Sequence, residues 1–287
     1  MIDELRLQYA IPALCALFEV SRSGYHRWKG APVSRRRQEE GRLEVEIVAA
    51  HKRTRETYSA ERLQTDLAAH GVCVGVHRIR RIRKKLGLRC KQKKKFKATT
   101  DSRHNLPVAE NLLGQKFAVS RPNQVWVSDI TYVPTDEGWL YLAAHKDLFN
   151  GEVVGHAMGP RMTKALVLQS LFRAVASRRP EKGLIHHSDR GSQYCSRRYT
   201  TALELFGMRA SMSRKGNCYD NAPMESFWGT LKNEVVHHKR YGTRAEAMRE
   251  IMEYIEMFYN RQRCQKRLGN LSPVAFQRRY YEQQRAA

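Results

Sequence analysis

Three acids in this 287-residue chain stand where a carboxylate is costly. Asp129 interrupts the apolar run "VWVSDITYV", Asp189 closes the short run "LIHHSD", and Glu225 opens the stretch "MESFWGTL". A carboxylate in or at the end of a buried strand must be paired, hydrogen-bonded or bound to a metal. Oxygen ligands of this kind suit Mg²⁺, which keeps several waters and needs neither thiolate nor imidazole. A pair of such ions about 3.5–4 Å apart activates an attacking oxygen and stabilises a leaving one, which is what cutting a phosphodiester requires. Taken singly, each acid also has an ordinary explanation: a salt bridge for the aspartates, and a favourable place near a helix N-terminus for Glu225.

The elements that must position these acids can be read from periodicity. The run around Asp129 is β-branched and aromatic, hence a strand. "WLYLAAHKDLF" and "EVVGHAM" follow as strands, with the hairpin dipeptide Asn150-Gly151 between them. A helix is expected from about Thr163 to Ser177, a short buried strand at "GLIHHSD", a helix between Ser196 and Gly207, and a last strand at "MRASM". Two helices then close the chain, near 222–236 and 244–260, the second with a capping box of Thr243 and Glu246. This order predicts an α/β fold, a mixed five-stranded sheet with flanking helices. Ligands of such sheets gather at the carboxyl ends of strands.

The helix near 222–236 carries the third acid. Asn221 or Asp220 is placed to cap it, and Pro223 is tolerated in its first turn. Met224, Phe227, Trp228, Leu231 and Val235 form one apolar stripe. Glu225 lies beside that stripe, and Lys232, seven residues on, shares its face.

Upstream, the chain divides into zones. Residues 1–30 hold a short helix, a turn and a second helix capped by Ser21: either a small helix-turn-helix or a hairpin that packs on the next zone. Residues 31–90 are helical and basic. Ile79, Ile82 and Leu86 form a buried stripe, and Gly71 ends the preceding helix. Arg78, Arg81 and Lys85 lie on the outer faces, as in a small all-helical helix-turn-helix region with a DNA-facing second helix; the alternative is a solvated charged helix. Residues 91–120 read as a basic linker, with Lys93, Lys94 and Lys95 placed to follow a phosphate backbone. Residues 121–240 are the core with the acids, and 241–287 a helical extension.

Composition agrees with a polyanionic partner. Net charge is +24, and residues 31–104 alone carry 21 Lys and Arg against 8 Asp and Glu. Cysteines at 15, 73, 90, 195, 218 and 264 make no Cys-x-x-Cys pair, so neither a zinc site nor a disulfide framework is indicated. No run of about 18 apolar residues and no signal-peptide pattern is present, so the chain is expected in the cytoplasm, on the nucleoid, with no membrane partner.

The strings "VWVSDITYV", "LIHHSDRGSQYCS" and "SMSRKGNCYDNAPMESFWGTLKNE" together resemble the catalytic segments of the DDE transposases, with 35 residues between Asp189 and Glu225. The resemblance, over about residues 35–280, is to the bacterial insertion-sequence group IS-three, in which the second reading frame encodes the catalytic chain. It implies an RNase H-like integrase catalytic core. Asp129, Asp189 and Glu225 would be Mg²⁺ ligands at a two-metal site that also accepts Mn²⁺, and Lys232 would lie on element-end DNA. It implies nicking of double-stranded DNA at the element ends, then attack of the freed 3′-hydroxyl on a target phosphodiester. Residues 211–221 would form a mobile loop beside the site, with Arg214, Lys215 and Asn217 as DNA contacts. The family works as an oligomer on paired ends, with an upstream-frame protein as a further partner. Departures from the family pattern are His145-Lys146 and His156 for apolar residues, Asn150-Gly151 for Ser-Arg, and Gln265 for His. Two other readings stay open: a DNA-binding protein without catalysis, separated by whether the acids converge, and an RNase H-like nuclease without a joining step, separated by its products.

Overall fold

The computed structural model describes residues 1–91 and 106–286. Three short helices come first: α1 (Ile2–Leu5), α2 (Ile11–Leu17) and α3 (Arg22–Gly30). Ser21 caps α3 as expected, its Oγ accepting from the Gly24 N–H at 3.0 Å. Leu14, Cys15 and Tyr25 are buried here, and the Tyr25 hydroxyl donates to Asp3 at 3.0 Å. Next come α4 (Arg35–Arg53), α5 (Ala60–Ala69) and α6 (Val76–Lys85). Gly71, at φ +79°, ends α5 in the left-handed region that its missing Cβ allows. Ile79 and Ile82 are fully buried on α6, with Leu86 packed beside them.

The sheet holds β1 (Val125–Thr135), β2 (Gly138–Asp147), β3 (Val153–Gly159), β4 (Ile185–Ser188) and β5 (Arg209–Met212). The spatial order is β3-β2-β1-β4-β5. The first three strands are antiparallel neighbours, while β4 pairs parallel with β1 and β5 parallel with β4. This is the mixed five-stranded sheet that the element order predicts. Helices α7 (Lys164–Arg178) and α8 (Arg197–Leu205) are interleaved with the last strands. Gly155 of β3 lets α7 lie directly on the sheet, since a Cβ there would come within 2.5 Å of the Ala174 backbone nitrogen.

The closing helices are α9 (Ala222–Glu234), α10 (Arg244–Glu253) and α11 (Pro273–Ala286). The helix expected over 244–260 is not uniform: it passes into a π-helical segment, Tyr254–Tyr259, with the Asn260 N–H bonded to the Ile255 carbonyl. The capping box at Thr243 forms in part. Thr243 Oγ1 accepts from the Glu246 N–H, while Glu246 reaches back to Gly242 rather than Thr243.

Alternation along the strands separates two cores. Trp126, Ala143, Val154 and Ala157 face α7 and α8. Val125, Val127, Val133, Leu140 and Leu142 face the other way, onto Met224, Phe227 and Leu231 of α9 and Ile251 of α10. Ile47, Leu63, Leu67, Ile79 and Ile82 belong to this same apolar cluster, so α4–α6 share a core with the sheet. Tyr58 stitches the two parts together. Its hydroxyl donates to the Gln262 carbonyl at 3.2 Å and accepts from the Cys264 N–H at 2.6 Å.

The basic linker read over 91–120 is described only in part. Residues 92–105, with Lys93, Lys94 and Lys95, lie outside the described residues. The part from 106 on docks beside β5: the Met212 N–H reaches the Glu110 carbonyl, and the Leu112 N–H donates to Ser211 Oγ at 2.9 Å. Leu113 is buried in the core cluster with Phe117 and Val119 against it, and that apolar anchor is what fixes the segment. At the opposite margin, Asn260 acts as a one-residue strand, bonding both the N–H and the carbonyl of Val153 at 3.0 Å.

Candidate active site

The positions of the two aspartates follow from strand parity and register. Asp129 continues the face of Val125 and Val127, so it points toward α9 rather than α7. In the parallel ladder Val127 lies beside His187 and Ser128 beside Ser188. Asp129 and Asp189 are the residues that follow this last pair, Asp189 one residue past the end of β4, and the Asp189 charge acts on Asp129. Asp129 Oδ1 accepts from the Ile130 N–H at 2.8 Å, and Oδ2 from the Trp228 indole at 3.0 Å. Asp189 Oδ1 accepts from the Gly191 N–H at 2.9 Å.

Burial pushes the Asp129 carboxyl up to about 8, and the charges of Asp189 and Glu225 add to the effect. Asp189 and Glu225 thus both lie near enough to Asp129 for their charges to act on it. Glu225 is exposed at the start of α9, and partial desolvation raises its carboxyl above the usual range. Lys232 is half-buried further along α9. Its ammonium lies 5.1 Å from the centroid of the Tyr132 ring, and the nearby Asp129 charge opposes the lowering that burial causes. Among the described residues, no three His, Cys, Asp or Glu side chains are grouped closely enough to cage a metal ion. The donor set nonetheless matches an ion that takes one or two carboxylates and keeps water for its other positions.

The first turn of α9 is built differently from the sequence reading. Neither Asn221 nor Asp220 caps it. Asn221 is buried, and its amide nitrogen donates at 3.1 Å to the carbonyl of Ser128, the residue before Asp129. Because a carbonyl only accepts, the amide orientation is fixed, and Asn221 Oδ1 has no donor among the described residues. Such a buried acceptor suits a water molecule of the kind Mg²⁺ retains. Asp220 is fully buried and gathers five donors: the Arg214 N–H, Nε and Nη2, Gln115 Nε2 and Asn111 Nδ2. The Arg214 hydrogen bonds hold its carboxyl well below the usual range.

The candidate DNA contacts separate into two groups. On α6, Arg81 is bonded to Glu40 at 3.0 Å and Lys85 to Glu44 at 2.5 Å, which ties them to α4. Arg78 is half-buried and makes no ion pair among the described residues. Arg214 is committed to Asp220, Lys215 is exposed, and Asn217 accepts from the Tyr219 N–H at 3.1 Å. The two adjacent histidines diverge: His186 binds the Tyr199 hydroxyl at 2.9 Å, and His187 binds Ser211 and Ser213. His145 is satisfied by Ser170 and Tyr199 inside the second core.

Comparison with known proteins then bears on the whole chain. Family profiles of the integrase core domain match residues 119–218 and 225–280, and a profile of an HTH-like domain matches residues 36–96. The insertion element IS600 uncharacterized 31 kDa protein of Shigella sonnei is 61% identical over 94% of this chain and 99% of its own length. The transposase InsF for insertion sequence IS3A of Escherichia coli (strain K12) is 40% identical over 96% of each chain. The HTLV-2 integrase catalytic core domain, solved in complex with magnesium, is 14% identical with a TM-score of 0.43, over 54% of this chain and 97% of that one.

Proposed function

Because this chain belongs to the transposases of IS3-type insertion sequences, we propose that Asp129, Asp189 and Glu225 are its catalytic carboxylates. It is a DNA-binding polynucleotidyl transferase of DNA transposition and integration. Its carboxylates hold a divalent metal, a pair of Mg²⁺ ions that Mn²⁺ can replace. The observation that carries this reading is that Asp129, within β1, and Asp189, just past the end of β4, directly follow the last paired residues of these parallel strands, with the charges of Asp189 and Glu225 both acting on Asp129. Bound Mg²⁺ supplies Lewis-acid stabilisation of the attacking and leaving oxygens.

In this reading a water attacks the phosphodiester at an element end, and the bond to the 3′-oxygen breaks. The freed 3′-hydroxyl then attacks a second phosphodiester, whose own 3′-oxygen leaves, with no covalent bond to protein. Lys232 draws a phosphate to the carboxylates, and Lys215 and Asn217 bound its path. Arg78, with Arg81 and Lys85 exchanging their α4 partners for phosphates, lays α6 on duplex DNA. Residues 31–90 bind DNA, residues 121–240 carry the chemistry, and Lys93, Lys94 and Lys95 follow the backbone between them. Copies of the chain assemble on paired ends in the bacterial cytoplasm, on the nucleoid, with the upstream-frame protein as a further partner. No helix among the described residues is long and apolar enough to cross a membrane.

The test is a nicking and strand-transfer assay on the element's own terminal repeats, with a labelled 3′-hydroxyl end. Asp189→Asn should abolish both steps while leaving DNA binding intact. Strand transfer at the wild-type rate by that variant would remove the assignment. Cleavage without joined product by the wild type would point to a nuclease instead.

A further inference from the structure

Two side chains outside the carboxylates hold the first turn of α9 to the sheet. Lys146 stands in β2 and is only 6% exposed. Its Nζ donates to the Pro223 carbonyl at 3.0 Å and lies 5.9 Å from the centroid of the Phe227 ring. Asn221 donates to the Ser128 carbonyl of β1 at 3.1 Å and forgoes the cap that its position offers. One bond therefore runs to α9 from β2 and the other from α9 to β1. Pro223 lies two residues before Glu225 and Asn221 four before it. Since each helical residue turns the axis by 100°, two fixed points in one turn set both the height and the rotation of the Glu225 side chain.

We propose that Lys146 and Asn221 are positioning residues that aim Glu225 at Asp129 and Asp189. The inference rests on the reading of Glu225 as a catalytic carboxylate. Packing alone does not account for Lys146, because an apolar side chain of equal length would fill the same space without burying an ammonium. Helix capping alone does not account for Asn221, because its amide is turned to the sheet and not to the α9 backbone. Burial, with Arg267 and Arg263 nearby, draws the Lys146 ammonium down to about 7, so its retention costs the fold stability that an apolar residue would not.

The experiment uses the full chain with Lys146→Met, Asn221→Ser and, as a control, Glu225→Gln. Nicking is measured at saturating terminal-repeat DNA over a Mg²⁺ titration, alongside DNA affinity and the thermal shift produced by Mg²⁺ alone. Lys146→Met and Asn221→Ser should each lower the maximal rate about 10- to 100-fold. Each should also raise the half-saturating Mg²⁺ concentration and shrink the Mg²⁺-induced thermal shift, with DNA affinity unchanged. Lys146→Met should unfold no lower than the wild type without metal, and Asn221→Ser keeps a side chain able to cap, so a merely structural role predicts neither loss. Wild-type rates and Mg²⁺ dependence in both variants, with Glu225→Gln inactive, would overturn the proposal. So would a loss of rate that only follows a loss of DNA affinity or of folded protein. Wild-type nicking by Glu225→Gln would instead overturn the reading of Glu225 itself.

Discussion

At Asp129 two sets of forces oppose each other. Burial first, then Asp189 and Glu225, raise its carboxyl to about 8, while the Ile130 N–H and the Trp228 indole favour the anion. The folded value lies above the unfolded one of about 3.9, so the stability from this group is fully present below that pH. It is lost as pH rises through about 8, and a bound cation reverses the loss. The unfolding temperature of metal-free protein should therefore fall from about pH 6 to about pH 9. Mg²⁺ should raise it more at the alkaline end, as scanning calorimetry would record, and a Mg²⁺ shift independent of pH would contradict this account. Asp129 and Asp189 stood out in the sequence because acids in apolar runs violate burial rules, whereas Glu225, exposed at the start of α9, stood out by the helix face it shares with Lys232. Trp228 was legible only as part of an apolar stripe, since periodicity uses the ring and ignores its N–H. In the sequence Asp220 reads as one of two candidate caps; three of its five donors come from Arg214, six residues earlier, and the other two, from Asn111 and Gln115, lie more than a hundred residues away in sequence.

At the scale of elements, Asp220 joins three pieces: the segment before β1, the loop after β5 and the turn leading into α9. Its carboxylate is held below the usual range, so the stability it contributes is present at neutral pH. That contribution declines only as pH falls below about 4, through the folded value. Asp220→Ala strands buried donors and should destabilise the protein by about 3 kcal/mol, read from urea unfolding at neutral pH. The difference between mutant and wild type should narrow on acidification, and an equal difference at both pH values would remove the ion pair as its cause. Strands, the Ser21 cap and Gly71 followed from local chemistry that acts within a few residues. The π-helical segment did not, because an i+5 bond leaves the apolar pattern of Tyr254, Ile255 and Phe258 readable as ordinary helix. The docking of residues 106–117 was hidden for a related reason: only Leu113, Phe117 and Val119 mark it, within a polar stretch.

Over the whole molecule, the basic helices and the sheet unfold as one body if their shared apolar cluster governs stability. Heating should give a single transition for probes in α5 and in β2, and two separated transitions would show that the parts are independent. Tyr58→Ala, which opens a cavity at the junction, should cost about 3–5 kcal/mol and lower both probes together. Sequence periodicity identified which faces of α5 and α6 are apolar but not what covers them. A helical stripe can be buried by another helix or by a sheet, and Ile79 and Leu63 carry no mark of which.

The treatment of the sheet's two margins bears on how copies of this chain can meet. An unpaired strand edge is a template for another strand. Here the Val153 edge is occupied by the amide of Asn260, and the β5 edge at Ser211 and Met212 by residues 110–112. At those positions a second copy finds no backbone to extend. If copies gather on one DNA molecule, as proposed above, strand exchange at those positions would be closed to them. Contacts between copies in such an assembly would then fall to side-chain surfaces, which part more readily than a shared sheet.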